Sequence, residues 1–294
     1  MVINMIKIQI PGSTSNIGPG FDCLGIALDI YNTFTFEEAD GVHISGCPDA
    51  YCNEDNLTYR AFQFAMQQLD KSFRGVAIHF ASDVPISRGL GSSSTCILAG
   101  ILAANAMADN ALSKEQIIDM ALTFENHPDN LSPALYGGMT ASIVSDGHVT
   151  CEPVPLKDDL LMVAFIPNFE LSTEKSRAVL PKQLSYTQSI YNTSRTAMLI
   201  AALMQGHYQL LRQACDDALH QPFRKPLIAG FEKIENLAYH FDAYTVFLSG
   251  AGPTIMAFFD ASNEQLDEMA TQLPENWQMR VLRVATQGAR VEIL

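Results

Sequence analysis

The sequence predicts an α+β fold in two domains, on three observations. The chain has 294 residues, 48% hydrophobic and 17% charged, enough to bury a full core and to divide into two domains. Strand patterns come first, with helices interspersed in mixed rather than strictly alternating order. Beyond about residue 153 the pattern changes, and Pro153 and Pro155 mark a boundary there. Domains are therefore expected over residues 1–153 and 154–294.

Each element has a local reason. In MVINMIKIQI, Lys7 and Gln9 alternate with Ile6, Ile8 and Ile10, which predicts a first strand and lacks the basic start and apolar core of a signal peptide. A polar turn, PGSTSNIGPGFD, separates it from strands in LGIAL and YNTFTF. A helix is expected over residues 56–69 (NLTYRAFQFAMQQL), then a strand, GVAIHF, ending at PISRGLG. The run CILAGILAANAMA reads as a buried helix; Ser92, Ser93, Ser94, Thr95 and Asn105 leave too short an apolar stretch to cross a bilayer. Ser113 and Gln116 form an S-x-x-Q capping box that opens a second helix, KEQIIDMALTFE. MTASIV and HVTCEPV flank Asp146-Gly147, a hairpin signal.

In the second half LLMVAFIP is a strand, the polar stretch LSTEKSRAVLP follows, and two long helical segments are expected over roughly residues 188–220. YTVFLSG and TIMAFFD bracket AGP, and a helix (NEQLDEMATQL) with strands QMRVLRV and ARVEI closes the chain. There is no internal repeat and no low-complexity tract.

Charge limits the partners. With 18 Lys+Arg against 32 Asp+Glu the net charge is -14, which repels a polyanion everywhere except in a local pocket. Neither nucleic acid nor an anionic membrane is expected to bind. Six scattered cysteines include one close pair, Cys47 and Cys52; there is no CxxC, and no second pair or nearby histidine completes a zinc set. Reduced thiols and a cytoplasmic location are expected.

The chemistry concentrates in four polar loops. RGLGSSST lies between a strand and a buried helix, where unpaired amides and a partial positive charge can wrap an anion without a lysine. No G-K-[ST] is present, so this is not a Walker loop. Its hydroxyls could cap the helix or ligate magnesium on a phosphate, and a capped helix after a tight turn is the plainer alternative. Ile118, Leu122 and Glu125 share i, i+4, i+7 spacing, which places an acid on an apolar line near a helix end, facing inward to a cation or frayed into water. Asn126, His127, Asp129 and Asn130 crowd the next loop, suited to orienting a hydroxyl and an amine or simply to an Asx-rich turn. In PGSTSNIGPGFD, Gly12, Gly18 and Gly20 let the backbone bend around Asn16 and Asp22.

Taken together, PGSTSNIGPGFDCLGIAL, PISRGLGSSST, ENHPDNLSPALYGG and SGAGPTIMAF resemble the GHMP kinase superfamily, in the expected order and from about residue 8 to 259. The first and third segments are most similar to its homoserine kinases. The resemblance implies an N-terminal domain like ribosomal protein S5 domain 2, a ferredoxin-like C-terminal domain and an active site in the cleft between. It implies transfer of the ATP γ-phosphate to the side-chain hydroxyl of L-homoserine, and family members are commonly homodimers.

Carried over by position, the resemblance places Pro85, Ile86, Ser87, Arg88, Gly89, Leu90, Gly91, Ser92, Ser93, Ser94 and Thr95 around ATP, with Asn56 near the adenine. Ser93 and Glu125 are the implied Mg2+ ligands. Asn16, Asp22, Asn130, Thr173, Arg177 and Arg224 are implied homoserine contacts, with Asp22 suited to the ammonium and the two arginines to the carboxylate. Asn130, Asp129 and Arg177 are the implied catalytic residues, Asp129 standing where some superfamily members carry a base. Asn126 replaces the glycine of the common EGHPDN form, so its backbone must suit asparagine; Ala251 stands where serine is frequent. Phosphoryl transfer then rests mainly on positioning and charge neutralisation. A kinase for another acceptor and a non-catalytic binding protein are the competing readings.

Overall fold

Alternation organises the first strand: in β1 (Ile6–Ser15), Ile6, Ile8 and Ile10 are fully buried on one face. The computed structural model describes residues 5–294, so the first four residues of the predicted strand lie outside the described residues. PGSTS, expected as a turn, instead prolongs β1, with a bulge between Pro11 and Gly12. A bulge is where a strand tolerates proline. LGIAL and YNTFTF merge into one strand, β2 (Leu24–Glu38), because both pair with β1 along its whole length.

β3 (Gly41–Ser45), α1 (Leu57–Gln68), β4 (Gly75–Ser82) and the buried helix α2 (Ser92–Met107) follow. The predicted capping box opens α3 (Lys114–Leu122), with Ser113 and Gln116 bonding reciprocally. This helix is shorter than expected. Phe124 N bonds Ala121 O in a tightened last turn, so Glu125 sits in the following loop and not on the helical line of Ile118 and Leu122. A short α4 (Leu131–Tyr136) leads to the predicted hairpin of β5 (Met139–Ser145) and β6 (His148–Val154). Pro153 is accommodated because β6 pairs only with β5.

In the second half, β7 (Leu160–Pro167) is followed by α5 (Thr173–Ala178) and α6 (Tyr186–Gln205). The second expected long helix is broken into α7 (Leu211–Ala214) and α8 (Gln221–Arg224). Its interruption has a chemical cause. The Asp217 carboxylate accepts the amides of Leu219, His220 and Gln221, replacing helical carbonyl acceptors. α9 (Phe231–His240), β8 (Thr245–Leu248), β9 (Ile255–Asp260), α10 (Leu266–Thr271), β10 (Trp277–Leu282) and β11 (Arg290–Ile293) complete the chain.

Two sheets result, and the fold is α+β as the sequence predicts. Seven strands form the first, ordered β11-β1-β2-β4-β3, with β5 and β6 added beside the start of β2. The second is antiparallel, ordered β10-β7-β9-β8. With α5–α9 after its first strand and α10 after its third, this is the β-α-β-β-α-β ferredoxin-like arrangement expected. The last strand, β11, returns to pair with β1, so the two halves interleave.

Burial joins the layers. α1 to α3 pack on one face of the first sheet, around Ile8, Phe34, Phe62 and Ile101. In β7, Leu161, Val163 and Phe165 face α9 and α10, while Met162, Ala164 and Ile166 face the first half of β2. A sheet buried on both faces reads as an unbroken apolar run, which is what LLMVAFIP is.

One glycine in this packing positions the polar loop after α3. A Cβ added to Gly25 in β2 would lie 1.8 Å from the Asp129 carbonyl oxygen. Gly25→Ala is therefore expected to destabilise the fold by about 3 kcal/mol or more, because backbone rather than a mobile side chain must yield. Chemical denaturation checks this; a midpoint equal to that of the parent chain would contradict it.

Candidate active site

The first turn of α2 forms one wall of a cavity of about 640 Å³ between the two halves. Gly91, in the left-handed region at φ 72, turns the chain into the helix and offers no side-chain cap. Thr95 N is the first amide of the turn to find a carbonyl, that of Gly91. The amides of Ser92, Ser93 and Ser94 ahead of it have no carbonyl partner and belong to residues that line the cavity, where the helix carries partial positive charge. A Cβ on Gly91 would meet Ser13 Oγ at 2.3 Å, and one on Gly89 would meet Ser249 O at 2.3 Å. Only glycine passes between these neighbours.

The loop is clamped from the second half. Ser249 Oγ donates to Gly89 O at 2.6 Å, and the Arg88 guanidinium donates to Pro167 O, Ile86 O and Asn168 O at 3.1 Å each. Arg88 also pairs with Glu170 at 3.3 Å. Its charge thus anchors the loop to β7 instead of facing an anion. Ser92 and Ser93 line the cavity, while Ser94 is buried and donates to Glu125 Oε2 at 2.6 Å. The hydroxyl meeting the acid is therefore Ser94's, one residue beyond the expected Ser93.

Opposite charges gather at the other end. Arg177 in α5 grips the Asp22 carboxylate with both terminal nitrogens, at 2.6 and 3.2 Å. Asn16 and Asp22 both adopt the left-handed backbone that asparagine and aspartate tolerate, and Asn16 Oδ1 accepts the Asp22 amide at 2.8 Å. Arg224 is 1% exposed, donating to Ser176 O and Gly250 O at 3.2 Å. Burial, then the neighbouring Arg177, push its pKa down to about 10, which leaves it charged at neutral pH. Phe21 lies against both guanidinium groups, 5.4 Å from Arg177 and 5.1 Å from Arg224.

Behind Arg224 stands a buried histidine. His220 Nε2 lies 2.8 Å from the Gly18 carbonyl, which can only accept, so Nε2 carries the proton and Nδ1 accepts from Arg224 Nη1 at 3.4 Å. Burial pulls its pKa below the ordinary value, and Arg224 adds to that against the opposing charge of Asp217.

The loop after α3 joins the two ends. Asn130 accepts from Ser13 Oγ and donates to Ser15 Oγ, at 2.9 Å in each case, so β1 fixes its amide at the cavity wall. Asp129 is fully buried; its Oδ1 is 3.0 Å from His127 Nδ1 and its Oδ2 has no partner. Burial alone would lower the His127 pKa, but the hydrogen bond and charge of Asp129 outweigh it and raise it. Donor atoms of Asp22, His127 and Asp129 lie within 4.8 Å of one another.

Most of the residues singled out in the sequence meet here. Asn16, Asn56, Ile86 to Gly89, Gly91 to Ser94, Glu125, Asn130, Thr173, Arg177 and Arg224 line the cavity. Pro85 lies off it, and Leu90 does too, its side chain in the core and its carbonyl bound to Ser13 N. Thr95 turns away, its hydroxyl donating to Ser92 O and accepting from Asn32. Asn56 borders the cavity, but its Oδ1 caps α1 and its Nδ2 donates to Tyr51 O. Asn126 has no positive φ, so replacing glycine there costs no strain. Phe21, Ser249 and His220 escaped the sequence reading. Phe21 and Ser249 lie within the quoted segments PGSTSNIGPGFD and SGAGPTIMAF, and His220 stands at i, i+4 spacing from Arg224.

The chain resembles known proteins along most of its length. The model of the GHMP kinases N terminal domain matches residues 56–138, and that of the GHMP kinases C terminal domain matches residues 199–278. A homoserine kinase of Clostridium beijerinckii is 42% identical over 98% of both chains, and one of Clostridium botulinum is 44% identical over 87% of both. The crystal structure of homoserine kinase from Cytophaga hutchinsonii superposes with a TM-score of 0.85 at 26% identity, covering 98% of each chain. A mevalonate kinase of L. major shares the fold alone, at 17% identity and a TM-score of 0.73 over 96% of each chain.

The buried histidine sets an acid limit on stability. Below its ordinary pKa of 6.5 the unfolded chain takes up a proton that the folded His220 resists, so its contribution to stability falls as pH drops from 6.5. Glutamine can donate to Gly18 O and accept from Arg224 without titrating. His220→Gln is expected to lose less melting temperature than the parent between pH 7.5 and 5.5, as thermal melts at both pH values would show.

Proposed function

The chain belongs to the GHMP kinases, and from that premise, with its homoserine kinase relatives, we propose that it moves the γ-phosphate of ATP to the side-chain hydroxyl of L-homoserine. It is an ATP-dependent small-molecule kinase. The observation that carries the choice of acceptor is the Asp22–Arg177 pair with Arg224 beside it. A zwitterionic α-amino acid matches it charge for charge: its ammonium can take the Asp22 carboxylate while its carboxylate takes the two guanidinium groups. An acceptor with no ammonium would leave Asp22 to Arg177 and gain little. The open amides of α2 at the other end suit the terminal phosphates of the nucleotide.

Between these ends the chain's own residues orient the reaction. Asn130, held by Ser13 and Ser15, faces the point where hydroxyl and phosphate would meet. Asp129 lies behind the cavity wall and holds the ring of His127, which does line the cavity, so it can orient that ring toward the acceptor. Glu125, already met by the Ser94 hydroxyl and with Ser93 beside it on the cavity wall, would hold Mg2+, since hydroxyls and a carboxylate are the hard oxygen donors this ion takes. When bound there, the ion would supply neutralising charge for the phosphate oxygens. Nucleotide contacts are assigned to residues 1–153 and the acceptor arginines to residues 154–294. A cytoplasmic setting without nucleic-acid or membrane partners belongs to the same reading; no helix among the described residues is long and apolar enough to cross a membrane.

A coupled assay of ATP consumption tests the reading. Turnover is expected with L-homoserine and not with mevalonate or shikimate; turnover with a carboxylate-free or ammonium-free acceptor in its place would refute the assignment. Asp129→Asn separates positioning from base catalysis. A fall in kcat of about tenfold or less is expected, against the roughly 10²–10⁴ that loss of a general base costs.

A further inference from the structure

The nucleotide end of the cavity is bordered by Cys47, one of a pair of thiols that the chemistry above does not use. Cys47 and Cys52 lie in the loop between β3 and α1, with their sulfur atoms 3.6 Å apart. The turn between them is already closed: Tyr51 N bonds Pro48 O at 2.8 Å and Cys52 N bonds Asp49 O at 3.1 Å. Cys52 Sγ is folded back over the carbonyls of Cys47 and Pro48, at 3.6 and 3.8 Å. A disulfide needs sulfurs about 2.05 Å apart, so side-chain rotation has only about 1.5 Å to cover.

We propose that Cys47 and Cys52 are a modification site: a peroxide-class oxidant joins them in a reversible disulfide that weakens nucleotide binding. The second part rests on the nucleotide reading of the cavity. Cys52 is exposed and meets the oxidant first. Cys47 is half-buried, and burial, then the Cys52 thiol beside it, push its pKa up to about 11, which suits it to the resolving step rather than the first attack. The Cys52 thiolate attacks one peroxide oxygen, the O–O bond breaks, and the hydroxide released takes a proton to become water, leaving a sulfenic acid. Cys47 sulfur then attacks the Cys52 sulfur, gives up its proton, and the sulfenic oxygen leaves as a second water. Two thiols and one hydrogen peroxide thus give one disulfide and two waters, with two electrons passing from sulfur to oxygen.

The link to binding is spatial. Cys47, Pro48 and Tyr51 form part of the cavity wall, and Tyr51 O accepts from Asn56, the cap of α1. Drawing the two sulfurs together pulls this wall. Cys96, near the start of α2 in the same cavity, is the third thiol nearby and serves as the internal control for pairing.

The test uses the full chain treated with hydrogen peroxide, then denatured for thiol counting and peptide mapping. The six free thiols are expected to fall to four, with the bridge mapped to Cys47 and Cys52. In the bridged protein the KM for ATP is expected to rise about threefold or more with the KM for homoserine unchanged, and dithiothreitol should restore both count and KM. Cys52→Ser should keep its basal activity and lose the response. Six thiols after treatment, a bridge mapped to Cys96 or any other partner, or an unchanged KM for ATP in the bridged protein would each overturn the proposal. Should homoserine prove not to be the acceptor, thiol counting and titration with a fluorescent ATP analogue still decide the dithiol question separately.

Discussion

Everything in this site depends on keeping the first turn of α2 uncapped and facing a cleft. A helix start with free amides is costly to bury and seeks an anion, so the fold must hold it open without letting side chains close it. Glycine at positions 89 and 91 removes the side chains that would collide with Ser249 O and Ser13 Oγ. Arg88 and Ser249 then tie the loop to the second sheet, so the phosphate wall and the acceptor wall share one frame. Separation of the two halves would loosen both at once.

Electrostatics arranges the rest. A chain of net charge -14 gathers its anion-binding capacity into helix amides and two guanidinium groups, each backed by neighbours that fix its direction. Arg224 is fixed most firmly, by Ser176 O, Gly250 O and neutral His220. Arg177 is fixed by a carboxylate that an incoming ammonium can take over, so the pair works as a placeholder for a zwitterion. Keeping His220 neutral matters here, because a second cation against Arg224 would raise the cost of burying either.

Local signals made much of the fold legible. The capping box at Ser113, the hairpin at Asp146-Gly147 and the strand LLMVAFIP all formed as read, because each rests on the chemistry of residues close in sequence. The misses have tertiary causes. PGSTS joined β1 because β2 continues beside it, and the helix expected after α6 broke because the Asp217 carboxylate took over its amides. Most residues proposed for the site line one cavity, whereas Leu90 packs into the core and Thr95 bonds Ser92 O and Asn32.

By itself, the sequence determined the strand and helix types, the glycine-serine turn before a buried helix, and the residue types able to hold phosphate, ammonium and carboxylate. Those properties follow from short-range sterics, alternation and side-chain chemistry. Tertiary structure alone decided which hydroxyl meets Glu125, that Arg88 serves as a clamp, that Asp22 and Arg177 pair across 155 residues, and that Phe21 and His220 back the arginines. Each of these depends on distances between segments far apart in the chain, which are set only when the second sheet packs against β2 of the first and closes the cleft.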